Sequence, residues 1–164
     1  MRKLNLEIAL AIALIVGALL SLATGARASD VMVSDAYARA SAVATARAGA
    51  VYLRLMNHGA APDRLLAIRT TVAAAASLHD TVTEGDVTVM REVESLDLAP
   101  GATQELAPNG LHVMLTGLKA PLREGDSFAM VLVFERAGEV PVTVTVGSVA
   151  AGTSHEGHAG TSGD

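Results

Sequence analysis

Leu111-His112-Val113-Met114-Leu115 alternates apolar side chains with a histidine and a methionine. A period of two is the strand period, with successive side chains on opposite faces. Leu111, Val113 and Leu115 then share one face, expected to be the core. His112 and Met114 share the other, about 7 Å apart at the ~3.3 Å rise per residue of a strand.

Outward from this segment the same short period recurs. Strands are expected at Val31 to Arg39, Ala50 to Met56, Arg64 to Arg69, Ser77 to Thr83, Val87 to Glu92, Thr103 to Leu106, Leu111 to Thr116, Ser127 to Glu135 and Val140 to Val146. Asn57-His58-Gly59, Glu84-Gly85-Asp86, Pro100-Gly101, Pro108-Asn109-Gly110 and Ala137-Gly138 supply the turns between them. Ala73 to Ala76 predicts a single helical turn. Eight or nine closely spaced strands point to an all-β Greek-key barrel or sandwich.

Two further strands pass the face test. On Val87 to Glu92, Val87 and Val89 take the core phase, and Met90 falls with Thr88 and Glu92. On Ser77 to Thr83, Leu78 and Val82 take the core phase and His79 falls with Ser77, Thr81 and Thr83, although Asp80 breaks the apolar side. Core-filling methionine normally lies in the apolar phase, as Met130 is expected to do. Met90 and Met114 do not, and each taken singly reads most simply as a scattered surface apolar residue.

Composition narrows the chemistry. The 164 residues contain no cysteine. That excludes, within them, a disulfide framework, a thiolate metal site including blue copper, a cysteine nucleophile and a cysteine-attached lipid. A formal net charge of -5 and 2% aromatic residues leave no basic stripe or stacking platform for nucleic acid. No nucleophile–base pair, phosphate loop or carboxylate pair stands out, so no enzyme is expected.

Residues 1–28 read as a signal peptide. Arg2 and Lys3 precede an apolar run from Ile8 to Leu22, and Ala26-Arg27-Ala28 fits a signal-peptidase cut. An uncleaved anchor is the alternative, and the Ala-Arg-Ala site favours cleavage. The expected β domain runs over 29–149, with no membrane contact after cleavage. Residues 150–164 are small and polar, and read as a flexible tail carrying His155 and His158. His155-Glu156-Gly157-His158 is one residue short of the zincin spacing. It reads either as a weaker accessory Cu(II) site or as a plain polar tail. His58, two residues after Met56, lies in a turn context and is read as structural.

Taken together, His79, Met90, His112 and Met114 form the pattern H-x10-M-x21-H-x-M. This pattern resembles the signature of the periplasmic copper(I) chaperones of the PCu(A)C type. Asn57-His58-Gly59, Pro62-Asp63-Arg64-Leu65, Leu78-His79 and the long run from Gly110 through Lys119 and from Pro121 to Asp126 resemble that family too. One departure is that Asp80 and Thr81 stand where many members place a further methionine. The resemblance implies a cupredoxin-like Greek-key β-barrel and one Cu(I) held by those four residues. It also implies a periplasmic location and delivery toward the binuclear copper centre of cytochrome c oxidase, with an oxidase subunit or a thiol-bearing Sco-type protein as the copper-receiving partner. The donor set suits copper(I), because thioether and imidazole are soft, neutral ligands for a soft monovalent ion. Two rivals stay open, a periplasmic copper buffer or resistance protein with the same site, and a non-metal β-sandwich assembly module.

Overall fold

The computed structural model describes residues 30–85 and 87–150. The expected signal peptide, and the tail with His155 and His158, lie outside them. Ten strands follow in order: β1 Val31–Arg39, β2 Ala48–Asn57, β3 Asp63–Thr70, β4 Ala75–Glu84, β5 Val87–Val93, β6 Leu96–Leu98, β7 Thr103–Leu106, β8 His112–Thr116, β9 Ser127–Phe134 and β10 Gly138–Gly147. They pair in the order β5-β4-β8-β2-β1-β10-β9-β3-β6, with β7 joining β2. The C-terminal half of β2 pairs with β7 and its N-terminal half with β8. Every pairing is antiparallel except β1 with β10. This is an all-β, cupredoxin-like barrel. Its core gathers Val51, Leu55, Leu65, Leu98, Leu106, Val113, Leu115, Met130, Leu132 and Val144, each almost fully buried.

Turn chemistry explains the chain reversals. Gly85, Gly101 and Gly138 take positive φ at three of the turns that glycine marks in the sequence. Asn57 does more than end β2. Its Oδ1 accepts from the Gly59 N–H at 2.9 Å, and its Nδ2 donates to the carbonyls of Ala61 and Leu98 at 2.9 and 3.0 Å. Asp63, also buried, accepts backbone N–H groups from Arg64 and Arg136 on Oδ1 and from Ala137 on Oδ2, at 2.8–2.9 Å. It clamps the β9–β10 turn to the start of β3.

Three expectations are corrected. No helical turn forms at Ala73 to Ala76. Instead the Ala74 N–H donates to the carbonyls of Thr116 and Gly117, and β4 begins at Ala75. Tertiary pairing overrides the helix propensity of an alanine run. The three-residue β6 carries too few positions to show a period, and the sequence reading passes over it. Val87 and Val89 do not enter the core: Val87 is 61% exposed and Val89 half-buried. The β4–β5 hairpin runs on past Leu78, where the core ends, so the apolar phase there has nothing to cover it. Met130, as expected, is buried.

Gly117 adopts φ 66°, and a Cβ built there would lie 2.8 Å from the Ala74 Cβ. Gly117→Ala combines left-handed strain with a clash against the Ala73–Ala76 crossing. It is expected to cost about 2–3 kcal/mol, seen as a lower urea midpoint at unchanged m-value.

Candidate metal centre

Strand β4 lies between β5 and β8, and the two registers place the four singled-out residues. His79 is directly opposite His112, and Ser77 opposite Met114. Across the other edge, Thr81 is opposite Met90 and His79 opposite Glu92. Paired residues of an antiparallel ladder project on one face. His79, His112, Met90 and Met114 therefore share the face turned away from Leu78, Val113 and Leu115. The two imidazoles face each other, with ring centroids 6.3 Å apart and planes inclined at 37°.

The methionines flank this pair on opposite sides. Met114 lies two residues along β8, level with Ser77, and Met90 lies on β5, level with Thr81. On a flat sheet their Cα atoms would be about 16 Å apart, from two strand spacings and four residue rises. A shared ion would need both thioether arms to lean inward over the histidines, which the three rotatable bonds of methionine allow. Met90 is 50% exposed and Met114 half-buried.

His112 is not on an open polar face. It is 5% exposed. Tyr52 on β2 covers one side of it, ring centroids 6.3 Å apart, and Tyr37 on β1 packs on Tyr52 at 5.1 Å. The Arg39 guanidinium sits over the Tyr52 ring at 5.5 Å. Both tyrosines of the chain thus stand in the row that ends at the histidine pair. Burial, reinforced by Tyr52, raises the Tyr37 phenol above its ordinary value, with Arg39 opposing, so it stays neutral at physiological pH. The sequence reading misses Tyr52, although it falls out of phase with the core residues Val51, Leu53 and Leu55, as His112 does with Val113.

Hydrogen bonds fix both rings. His112 Nδ1 donates to the Gly110 carbonyl at 2.8 Å. That carbonyl is presented by the turn in which Asn109 takes φ 65°. His79 Nε2 lies 3.0 Å from Ser77 Oγ. His79 Nδ1 is buried and has no hydrogen-bond partner. A buried, unpartnered ring nitrogen beside a second imidazole suits a metal donor. Among the described residues no three His, Cys, Asp or Glu side chains gather as a metal cluster, the kind of site in which zinc takes three or four such ligands. His58 stays apart as an exposed turn residue, its N–H donating to the Asp30 carbonyl.

Comparison with known proteins adds the lineage. Residues 31–146 match the family described as "Putative lipoprotein LpqE-like". The protein "Putative lipoprotein Lxx21020" of Leifsonia xyli subsp. xyli is 36% identical over 123 residues, 74% of this chain and 72% of that one. Among solved structures, CuI-DR1885 from Deinococcus radiodurans is 32% identical, covering 76% of this chain and 85% of that one with a TM-score of 0.56. The copper-bound PCuAC domain from PmoF2 shares the fold at 24% identity, covering 73% and 93% with a TM-score of 0.63. The chain belongs to the LpqE-like family, and its barrel has the fold of the PCuAC domains.

Proposed function

We propose that this protein is an exported copper(I) carrier that holds one Cu(I) through His79, Met90, His112 and Met114 and passes it to a receiving protein. The observation that carries this reading is the register: His79 is paired with His112, and Met90 and Met114 stand on the same face. The Deinococcus radiodurans relative, solved as its CuI form, supports it. So does the donor chemistry, since two imidazoles and two thioethers give Cu(I) a soft, uncharged ligand set. Met90, half exposed on the outer strand, is where a partner's ligand would enter. Transfer then proceeds by ligand exchange, and its direction follows the difference in affinity. In an exported setting methionine avoids the disulfide exchange open to a thiolate, at the lesser hazard of sulfoxide formation.

The reading of residues 1–28 as a signal peptide supports a periplasmic location. Delivery toward the binuclear copper centre of cytochrome c oxidase, through an oxidase subunit or a Sco-type protein, is the destination that the family resemblance favours. His155 and His158 are the candidates for a weaker Cu(II) site. No catalysis is part of this proposal.

Titration of Cu(I) against a competing chelator tests it. Wild-type protein is expected to take up about one equivalent, and the Met90→Ala, Met114→Ala double variant to compete at least about tenfold less well. A double variant that binds like wild type would refute the four-ligand site.

A further inference from the structure

We propose that the two histidines meet the metal through different ring nitrogens, His79 through Nδ1 and His112 through Nε2, and that Ser77 is the positioning residue that enforces the difference. This inference rests on the copper reading above and adds to it the ligand atoms and their support.

The tautomer of His112 follows from its partner. A carbonyl oxygen only accepts, so the 2.8 Å contact with Gly110 puts the proton on Nδ1. The neutral ring then carries its lone pair on Nε2. No hydrogen bond among the described residues engages that atom.

His79 is the reverse case. Its Nε2 contacts the Ser77 hydroxyl, which can donate or accept, so that contact alone permits either tautomer. The other nitrogen decides between them. Nδ1 is buried without a partner. A proton there would be a stranded buried N–H, a state folded proteins rarely contain. With the proton on Nε2, donated to Ser77 Oγ, the orphan at Nδ1 is a lone pair instead. An incoming soft cation satisfies it. Ser77 thus grips the ring by its outer nitrogen and leaves the inner one for the ion.

The arrangement also explains the serine's place in the sheet. Ser77 is opposite Met114 and two residues before His79 on the same face. It therefore lies between the β8 thioether arm and the β4 imidazole, and can hold the ring without itself being a ligand. Outer partners of this kind orient metal-binding histidines and set their basicity.

Long-range 1H–15N spectra of the metal-free protein test the assignment. The expected result is an Nδ1–H ring for His112 and an Nε2–H ring for His79. Adding Cu(I) under reducing conditions should shift His79 Nδ1 and His112 Nε2. Ser77→Ala should give His79 a mixture of tautomers and weaken Cu(I) capture about tenfold in chelator competition. Ser77→Thr, which keeps the hydroxyl, should restore both. An Nδ1–H ring at His79, a copper shift at its Nε2, or a Ser77→Ala variant unchanged in spectrum and affinity would overturn the inference while leaving the carrier reading intact. Wild-type protein that takes up no Cu(I) would overturn both, and the metal-free spectra tell that failure apart from the others.

Discussion

Replacing His112 with alanine should weaken Cu(I) capture by about a hundredfold or more, since losing even an outer partner of a metal ligand commonly costs 10–100-fold. The loss has three parts. The imidazole facing His79 disappears, so the buried Nδ1 of His79 keeps no nitrogen neighbour to share an ion with. The Gly110 carbonyl loses the donor that ties the Pro108–Leu111 turn to β8. Tyr52 loses the ring against which it packs. Chelator competition reads the first effect, and thermal unfolding in the absence of copper reads the other two. His58→Ala is the matched control. That histidine is exposed in the turn after β2, and its removal should leave affinity where it was. A His112→Ala protein that competes as well as wild type would remove the histidine pair from the metal site.

The largest stability effect is expected outside the candidate metal centre, at Asp63. Its carboxylate accepts three backbone N–H groups, from Arg64, Arg136 and Ala137, while itself almost fully buried. Asp63→Ala strands all three donors where water enters poorly. The expected cost is about 3–5 kcal/mol, since each buried group left unpaired costs roughly 1–3 kcal/mol and the turn can relax in part. In a domain of this size that lowers Tm by roughly 10 °C or more. Asp63→Asn should fall between. Its Oδ1 can still accept from Arg64 and Arg136, but its NH2 would meet the Ala137 N–H donor to donor. Equal stability of the alanine and asparagine variants would show that the clamp works by packing rather than by acceptance.

Much of the barrel is legible in the linear pattern, for a definite reason. Wherever a strand lies over the core, Leu and Val must recur at every second position, and the turns need residues that tolerate positive φ. β1 and β7 consequently appear with the bounds read from the sequence, and β2, β3, β4, β5, β8, β9 and β10 with each end within two residues. The reading fails where neighbours rather than local pattern decide. Ala73 to Ala76 looks helical alone, but the carbonyls of Thr116 and Gly117 claim the Ala74 N–H. Val87 has the apolar phase and yet no core beneath it, because nothing in the hairpin's own residues tells where the barrel stops. Asp63 draws no structural reading from the sequence, since its role depends on a loop about seventy residues later.

The candidate metal centre divides the same way. The shared face of His112 and Met114 needs only the strand period. Bringing His79 opposite His112 needs the pairing of β4 with β8, which local pattern does not show; the family resemblance implies only that the four residues meet at one ion. The supports, Tyr52, Ser77 and the Gly110 carbonyl, stay hidden because each acts from a strand or turn whose position only the folded sheet defines. The burial of His112 is the sharpest case. A polar residue in the outward phase is expected in the open, and here an aromatic side chain from a distant stretch of the sequence covers it.

The parallel pairing of β1 with β10 has a consequence for how such a molecule is moored. Tyr37 is level with Thr145 and Tyr52, and Tyr52 is level with the histidine row, so the end of β10 is level with that row, across β1 and β2 from it. Val31, where β1 begins, lies about six residues back along the strand, roughly 20 Å away at 3.3 Å per residue. A tether upstream of Val31 would therefore meet the barrel at the end away from the candidate copper residues. Anything attached after Gly147 would instead start level with them, about 14 Å to one side at three strand spacings.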